Sequence, residues 1–484
     1  MLNTQSIQRL NNKKMNRLRT AWLCLLLMAG IAVEAQQTTP ALKISSNNRF
    51  FANADGSPFF WLGDTGWLLF SKLTREEAVR YLSDRKAKGF NVIQAMVLHT
   101  VKAANVYGDS ALIKRNVATP LLKKDHDYWQ HVDYIVDQAA AMGIYVAMVP
   151  IWGTDVKEGY VNSKQAAVYA SFLAKRYGPR PNIIWMNGGD IKGSDSLAVW
   201  NTIGNTLYKL DKKHLITFHP RGRTTSSIWF HKQPWLHFNT FQSGHRRYDQ
   251  DTTKNEPLHY GEDNWKFVEA DLKLKPLKPS FDAEPSYEGI PQGLHDTLEV
   301  RWKAEDVRRY GYWSVFAGGC GYTYGNNAVM QMRKHSETAT GAYGAHDYWD
   351  EAINDPGAGQ MIHLKNLMLA RPYFERIPDQ SLIASGQGEK YERLLATRGK
   401  NYVYVYTYTG RNMNIALGKI TGKLVHASWY DPRTGQYKQI GDFENKGTRE
   451  FNPPGEPANG NDWVLVLDGT NEPHTISTMG ISSK

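Results

Sequence analysis

The sequence predicts an α/β protein: a (β/α)8 TIM barrel followed by a small C-terminal β-sandwich. Two observations carry this. Over roughly 300 residues, eight short apolar or β-branched runs alternate with longer helical patterns, as parallel βαβ units do. Near residue 375 the helical period is lost, and strand-like runs separated by turn residues take over. The rival, a doubly wound open sheet, is disfavoured because no glycine-rich phosphate loop follows the first run.

The eight runs are residues 59–64, 92–98, 145–151, 183–187, 215–219, 238–242, 279–284 and 312–317. Helical stretches lie between them. Thr74, with Glu76 and Glu77 behind it, opens one that runs to Gly89. Residues 128–142 form another, closed by Gly143. Residues 163–177 form a third, followed by Gly178, and 195–210 and 298–310 read the same way. In the tail, strands are expected at 392–397, 402–407, 414–416, 424–430 and 463–467. Turns such as Asp431-Pro432-Arg433-Thr434-Gly435 and Pro453-Pro454-Gly455 separate strands there. The domains are therefore set at 42–372 and 375–472.

The first 35 residues read as a secretory signal peptide. A basic stretch ends at Arg19, an apolar run covers 21–33, and Val33-Glu34-Ala35 places small side chains before a cut after Ala35. The run is too short to span a bilayer comfortably. No later segment is apolar and long enough to do so. The mature protein is expected in the periplasm or secreted. Cleavage removes Cys24 and leaves Cys320 alone, so the fold rests on packing and not on a disulfide.

Composition narrows the function. Hydrophobic residues make up 41%, charged residues 22% and aromatics 12%, which excludes disordered and coiled-coil chains. Two cysteines exclude multi-cysteine zinc and iron–sulfur sites. The formal net charge is +11, of which the signal peptide supplies +4 through Arg9, Lys13, Lys14, Arg17 and Arg19 against Glu34. The remaining +7 suits an acidic substrate but gives no basic run of the kind that marks nucleic-acid binding.

In a (β/α)8 barrel the chemistry sits at the C-terminal strand ends. Those ends carry Asp64, His99, Trp152, Asn187-Gly188-Gly189-Asp190, His219, Gln242 and His245, then Asp282, Glu284 and Tyr287. The eighth run leads into Gly318 to Asn327, which includes Tyr322. Aromatic faces for sugar rings, with carboxylates and amides for hydroxyls, describe a carbohydrate site. Asp64, His99, Trp152, Asn187, His219, Gln242, Tyr287 and Tyr322 are the candidate substrate contacts. Asp64 can alternatively be a buried structural acid, and His99 and His219 satisfied core histidines. Glycoside hydrolysis needs two carboxyl groups flanking the scissile bond, one protonated and one ionised. Asp190 after the fourth strand and Glu284 after the seventh can face each other across the mouth, with Asp282 as runner-up. No close ligand pair such as His-Glu-x-x-His points to a metal, and no cofactor motif is present.

Five stretches together resemble the apiosidase-like glycoside hydrolases (glycoside hydrolase family 140). They are Trp61-Leu62-Gly63-Asp64-Thr65-Gly66-Trp67, Gly89-Phe90-Asn91-Val92-Ile93-Gln94, Trp185-Met186-Asn187-Gly188-Gly189-Asp190, Glu284-Pro285 and Thr323-Tyr324-Gly325. The tail resembles the small sandwich, labelled collagen-binding, that often follows this barrel. The resemblance implies a retaining exo-glycosidase acting on plant cell-wall pectin, releasing apiose-linked side chains from rhamnogalacturonan-II. It implies Asp190 as acid/base and Glu284 as nucleophile. The pattern departs in one place: Tyr322 stands where a His is expected before Thr-Tyr-Gly. A glycosidase of other specificity and a non-catalytic carbohydrate-binding protein are the alternatives. For the sandwich, matrix binding competes with a stabilising role.

Overall fold

The computed structural model describes residues 40–253 and 255–472; the expected signal peptide lies outside the described residues. Eight parallel strands form the barrel: β1 (Trp61–Thr65), β2 (Val92–Met96), β3 (Tyr145–Val149), β4 (Ile183–Ile191), β5 (Ile216–Pro220), β6 (Asn239–Gln242), β7 (Ser280–Asp282) and β8 (Gly321–Tyr324). Each pairs with the next in sequence, except that β5 and β6 meet at the closing seam. At the other join β8 returns to β1, with Gly321 opposite Trp61 and Tyr324 opposite Asp64. The seam is held by His237 N–H donating to Ile216 O (2.9 Å) and Thr217 Oγ1 to Phe238 O (2.8 Å). Strands β2 and β3 are buried along their whole length, which is why they read as unbroken apolar runs.

Helices follow where the sequence caps them. In α1 (Arg75–Ala87) the Thr74 side chain accepts from Glu77 N–H while Glu77 accepts from Thr74 N–H, a reciprocal capping box. Asp127 caps α2 (Tyr128–Ala141), and Asn162 with Gln165 repeats the box at α3 (Ser163–Tyr177). Then come α4 (Leu197–Leu210), α5 (Trp265–Leu272), α6 (Ala304–Phe316) and α7 (Pro356–Leu369).

One expected strand is corrected. Residues 312–317, read as the eighth strand, are the last turn of α6, and the true β8 lies at Gly321–Tyr324. The cause is burial on every side. From Val307 to Phe316 each residue of α6 is buried, because the helix lies between the barrel and the C-terminal sheet. A helix without a polar face loses the 3.6-residue alternation that marks it in sequence.

The C-terminal region is a pair of antiparallel sheets. One has six strands in the order Ile377–Pro378, Leu395–Arg398, Tyr402–Thr407, Trp463–Thr470, Leu424–Tyr430 and Tyr437–Glu444. The other has three: Ile383–Ser385, Met413–Ala416 and Thr448–Phe451. Along 402–407 the side chains alternate. Val403 and Val405 join the core between the sheets, while Tyr402, Tyr404 and Tyr406 turn to the barrel. Tyr404 Oη donates to Leu367 O (2.9 Å), Tyr430 Oη to His363 O (2.8 Å), and Tyr406 stacks on Tyr312 at 4.8 Å. Arg308 and Asp462 pair at 2.8 Å with side chains 4% and 0% exposed. One hydrophobic cluster thus runs from the barrel into the sandwich, beside the separate core between the two sheets.

Candidate active site

The C-terminal strand ends enclose a cavity of about 450 Å³, within the range of small-molecule sites. Its aromatic wall is Trp67, Trp152 and Tyr287. The Trp67 and Trp152 rings lie 5.3 Å apart, and Trp67 Nε1–H donates to Tyr287 Oη (3.2 Å). Gln242 also lines the cavity, with its Oε1 buried and without a hydrogen-bond partner.

Asp190 enters the cavity because β4 bulges. The register with β5 shifts between Gly188 and Ile191, and Gly188, Gly189 and Asp190 have φ of +90°, +120° and +46°. A Cβ at Gly188 would stand 2.5 Å from His219 O, and one at Gly189 2.6 Å from the Trp152 ring. Only glycine fits both places, and the bulge re-aims the next side chain. Asp190 is surrounded by dense protein, yet its side chain is exposed to the open cavity. Burial, then the negative charge of Glu284, raises its carboxyl to about 6.

Glu284 sits two residues beyond the end of β7 and is followed by Pro285. Its backbone is fixed by Gly244 N–H donating to Glu284 O (3.1 Å). Glu284 is 6% exposed. His219 Nε2 lies 3.0 Å from Oε2, and His245 Nε2 lies 3.2 Å from Oε1. Burial alone would raise this carboxyl, but the two histidines outweigh it and hold it down at about 2. Asp190 N–H points at His219 Nδ1 (3.4 Å), while the other ring nitrogen, Nε2, is the one beside Glu284. His219 therefore couples the two carboxylate-bearing segments. The result is a cavity with one carboxyl that protonates easily and one that stays ionised.

Asp190, Glu284, Trp152, Gln242 and Tyr287 all line this cavity. Five other expected substrate contacts do not, and each has a physical reason: His219 is fully buried behind Glu284, 3.0 Å from its Oε2, and so acts on the site through that carboxylate. Asp64 is fully buried on the outer face of β1, 2.9 Å from Arg85 Nε and accepting from Tyr81 Oη (2.6 Å); alternation turns Thr65 inward instead. Tyr322 likewise faces outward, where its Oη donates to Val307 O on α6 (3.0 Å). The departure from the family pattern at that position thus lies outside the cavity. Asn187 donates to Trp200 O (2.8 Å) and ties β4 to α4. His99 Nδ1 lies 2.9 Å from Ser71 Oγ in the loop after β2. The runner-up Asp282 is also buried outside the cavity. It accepts from Ser243 Oγ (2.6 Å) and Asn264 Nδ2 (3.0 Å), and burial raises it to about 7. Among the described residues no group of three or more His, Cys, Asp or Glu is arranged to hold a metal ion.

The cavity also includes residues that strand-end reading passed over: Trp67, Arg221, Arg223, Arg246 and Tyr343. Arg221-Gly222-Arg223 directly follows β5 and His245-Arg246-Arg247 closely follows β6, so clustered basic residues after strands were the available signal.

Comparison with known proteins decides the family. The model described as "Apiosidase-like, catalytic domain" matches residues 45–375. The chain belongs to the apiosidase-like family. It is a glycoside hydrolase, and a carbohydrate is its substrate. A second model, described as "Putative collagen-binding domain of a collagenase", matches residues 377–468. A solved structure described as "Glycoside hydrolase" is 48% identical, with 89% of this chain and 97% of that one covered and a TM-score of 0.85. A glycoside hydrolase family 5 protein from Bacteroides vulgatus ATCC 8482 is 47% identical, with 89% and 94% covered and the same TM-score. No curated protein matches the chain. Among the described residues no helix is long and apolar enough to cross a membrane.

Proposed function

We propose that this apiosidase-like enzyme is an exported, retaining exo-glycosidase of plant pectin that releases apiose-linked side chains from rhamnogalacturonan-II. The carrying observation is the opposed protonation of two carboxyls in one cavity, Asp190 at about 6 and Glu284 at about 2. Between those values one is an acid and the other an anion, the pairing glycoside hydrolysis requires.

In this reading Asp190 gives its proton to the glycosidic oxygen as the bond to the anomeric carbon breaks. Glu284 attacks that carbon and forms a glycosyl ester. Asp190, now ionised, takes a proton from water. The water oxygen attacks the same carbon, the ester breaks, and Glu284 leaves as a carboxylate. His219 and His245 keep Glu284 ionised, and the Trp67–Trp152 wall offers a face for the sugar ring. The resemblance to family 140 supports apiose as the sugar, and the signal-like N-terminus supports export.

The test is sugar release from purified rhamnogalacturonan-II by wild type and Glu284→Gln. Release of apiose-terminated oligosaccharides by wild type, lost in the variant, is expected. Release of a different sugar would keep the glycosidase and discard the apiose assignment.

A further inference from the structure

We infer that the C-terminal sandwich takes part in building the active site: its Tyr391 and Tyr408 are positioning residues that hold the loop presenting His245 to Glu284. The inference deepens the proposed function and rests on the role given there to Glu284.

The loop follows β6 and is held from behind at two backbone groups. Trp302 Nε1–H donates to His245 O (3.0 Å), which also accepts from Gly293 N–H (2.7 Å). Tyr248 N–H donates to Glu262 Oε1 (2.8 Å). Trp302 and Glu262 belong to one buried cluster centred on Arg309 of α6. Glu262 Oε2 lies 2.7 Å from Arg309 Nη2, and both side chains are 0% exposed. Arg309 Nε and Nη1 make no hydrogen bond. Aromatic rings surround the guanidinium instead: Trp302, Tyr310, Trp313, Tyr391 and Tyr408 stand 4.7–5.9 Å from its carbon. Their faces attract a desolvated guanidinium, which a single carboxylate satisfies only in part.

Two of these five walls come from the sandwich. Tyr391 precedes the strand Leu395–Arg398, and Tyr408 directly follows Tyr402–Thr407. Tyr391 Oη donates to the same Glu262 Oε1 that holds Tyr248 (3.0 Å), and its ring packs on the Tyr248 ring at 5.5 Å. Tyr408 Oη donates to Asp306 Oδ1 in the first turn of α6 (3.1 Å). Removing the Tyr391 ring would open the cage to water, which would compete for Glu262 and Arg309 and loosen Tyr248. His245, three residues earlier, would then no longer be fixed 3.2 Å from Glu284. Tyr430, whose Oη donates to His363 O on α7 (2.8 Å), is a boundary contact outside this cage; it should stabilise the protein without reaching the site.

The test reads Glu284 without turnover. Protein labelled with 13C at the glutamate side-chain carboxyls is titrated by NMR, with the Glu284 resonance identified by its absence in Glu284→Gln and tryptophan fluorescence reporting the fold at each pH. Wild type should keep Glu284 ionised down to about pH 3. In Tyr391→Ala the midpoint should rise by about one unit, the low end of what losing a hydrogen bond to a charged group gives. Tyr391→Phe keeps the ring over Arg309 and loses only the bond to Glu262, so its rise should be smaller; it decides the matter if Tyr391→Ala does not fold. Tyr430→Ala should leave Glu284 as in wild type. A titration unchanged in the Tyr391 variants, or an equal rise in Tyr430→Ala, overturns the inference and leaves the sandwich a stabilising domain. Sugar release from rhamnogalacturonan-II is assayed on the same samples; its absence in wild type counts against the proposed function and leaves the titration result standing.

Discussion

Replacing His245 with alanine isolates the electrostatic design of the site. Wild type needs Glu284 ionised and Asp190 protonated. Its kcat/KM should therefore fall as pH drops through about 2 and as pH rises through about 6. Glu284 is held low by two contacts, His219 at 3.0 Å and His245 at 3.2 Å, acting against burial. A hydrogen bond to a charged group is worth about 1.5–3 kcal/mol, and one pH unit corresponds to about 1.4 kcal/mol. Losing one contact should thus move Glu284 from about 2 up to about 3–4, with burial now less opposed. The basic limb should stay near 6 or move slightly higher, because Glu284 is still charged and still raises Asp190 while the lowering influence of His245 is lost. The assay is kcat/KM from pH 2.5 to 8, with tryptophan fluorescence confirming that the protein remains folded at each pH. Wild type should show almost no acid limb above pH 3, and His245→Ala a clear one. An unchanged acid limb in a folded, slower variant would refute the claim that the histidines set the state of Glu284.

Other consequences follow from the same geometry. Asp190→Asn should lose about 10²–10⁴-fold in kcat, with the basic limb abolished and partial recovery on substrates whose leaving groups need no proton. Asp462→Ala should strand Arg308 at the barrel–sandwich boundary and cost about 3–5 kcal/mol in denaturant unfolding; a loss below about 1 kcal/mol would show the pair to be dispensable. Tyr322→Phe should cost about 1 kcal/mol for the bond to Val307 and leave kcat/KM within about twofold, whereas a large rise in KM would return Tyr322 to the substrate site.

Much of the fold was legible because burial writes itself into sequence. β2, β3 and β5 are buried throughout, and α1, α2 and α3 begin at Thr74, Asp127 and Asn162, residues whose side chains cap helices. The failures have equally definite causes. α6 is buried all round, so its end looked like a strand. The strand Tyr437–Glu444 is a half-exposed sheet edge rich in polar residues and carries Gly441, so it is not among the strands expected from the sequence. At the site, Asp190 was legible through its two glycines and Glu284 through Pro285. Strand-end position alone could not tell Asp190 from Asp64 or Tyr322, because that choice is made by which face of the strand the side chain takes. Arg221, Arg223 and Arg246 escaped because they come from two loops that meet only in the folded chain.

Trapping the covalent intermediate tests the central claim most directly. The enzyme would be incubated with an activated 2-deoxy-2-fluoro glycoside, which slows ester breakdown, and the labelled peptide sequenced by mass spectrometry. The account predicts a single glycosyl adduct on Glu284, absent in Glu284→Gln and accompanied by retained anomeric configuration in normal turnover. An adduct on Asp190 or Asp282, or turnover that inverts the anomeric centre with no adduct, would contradict it.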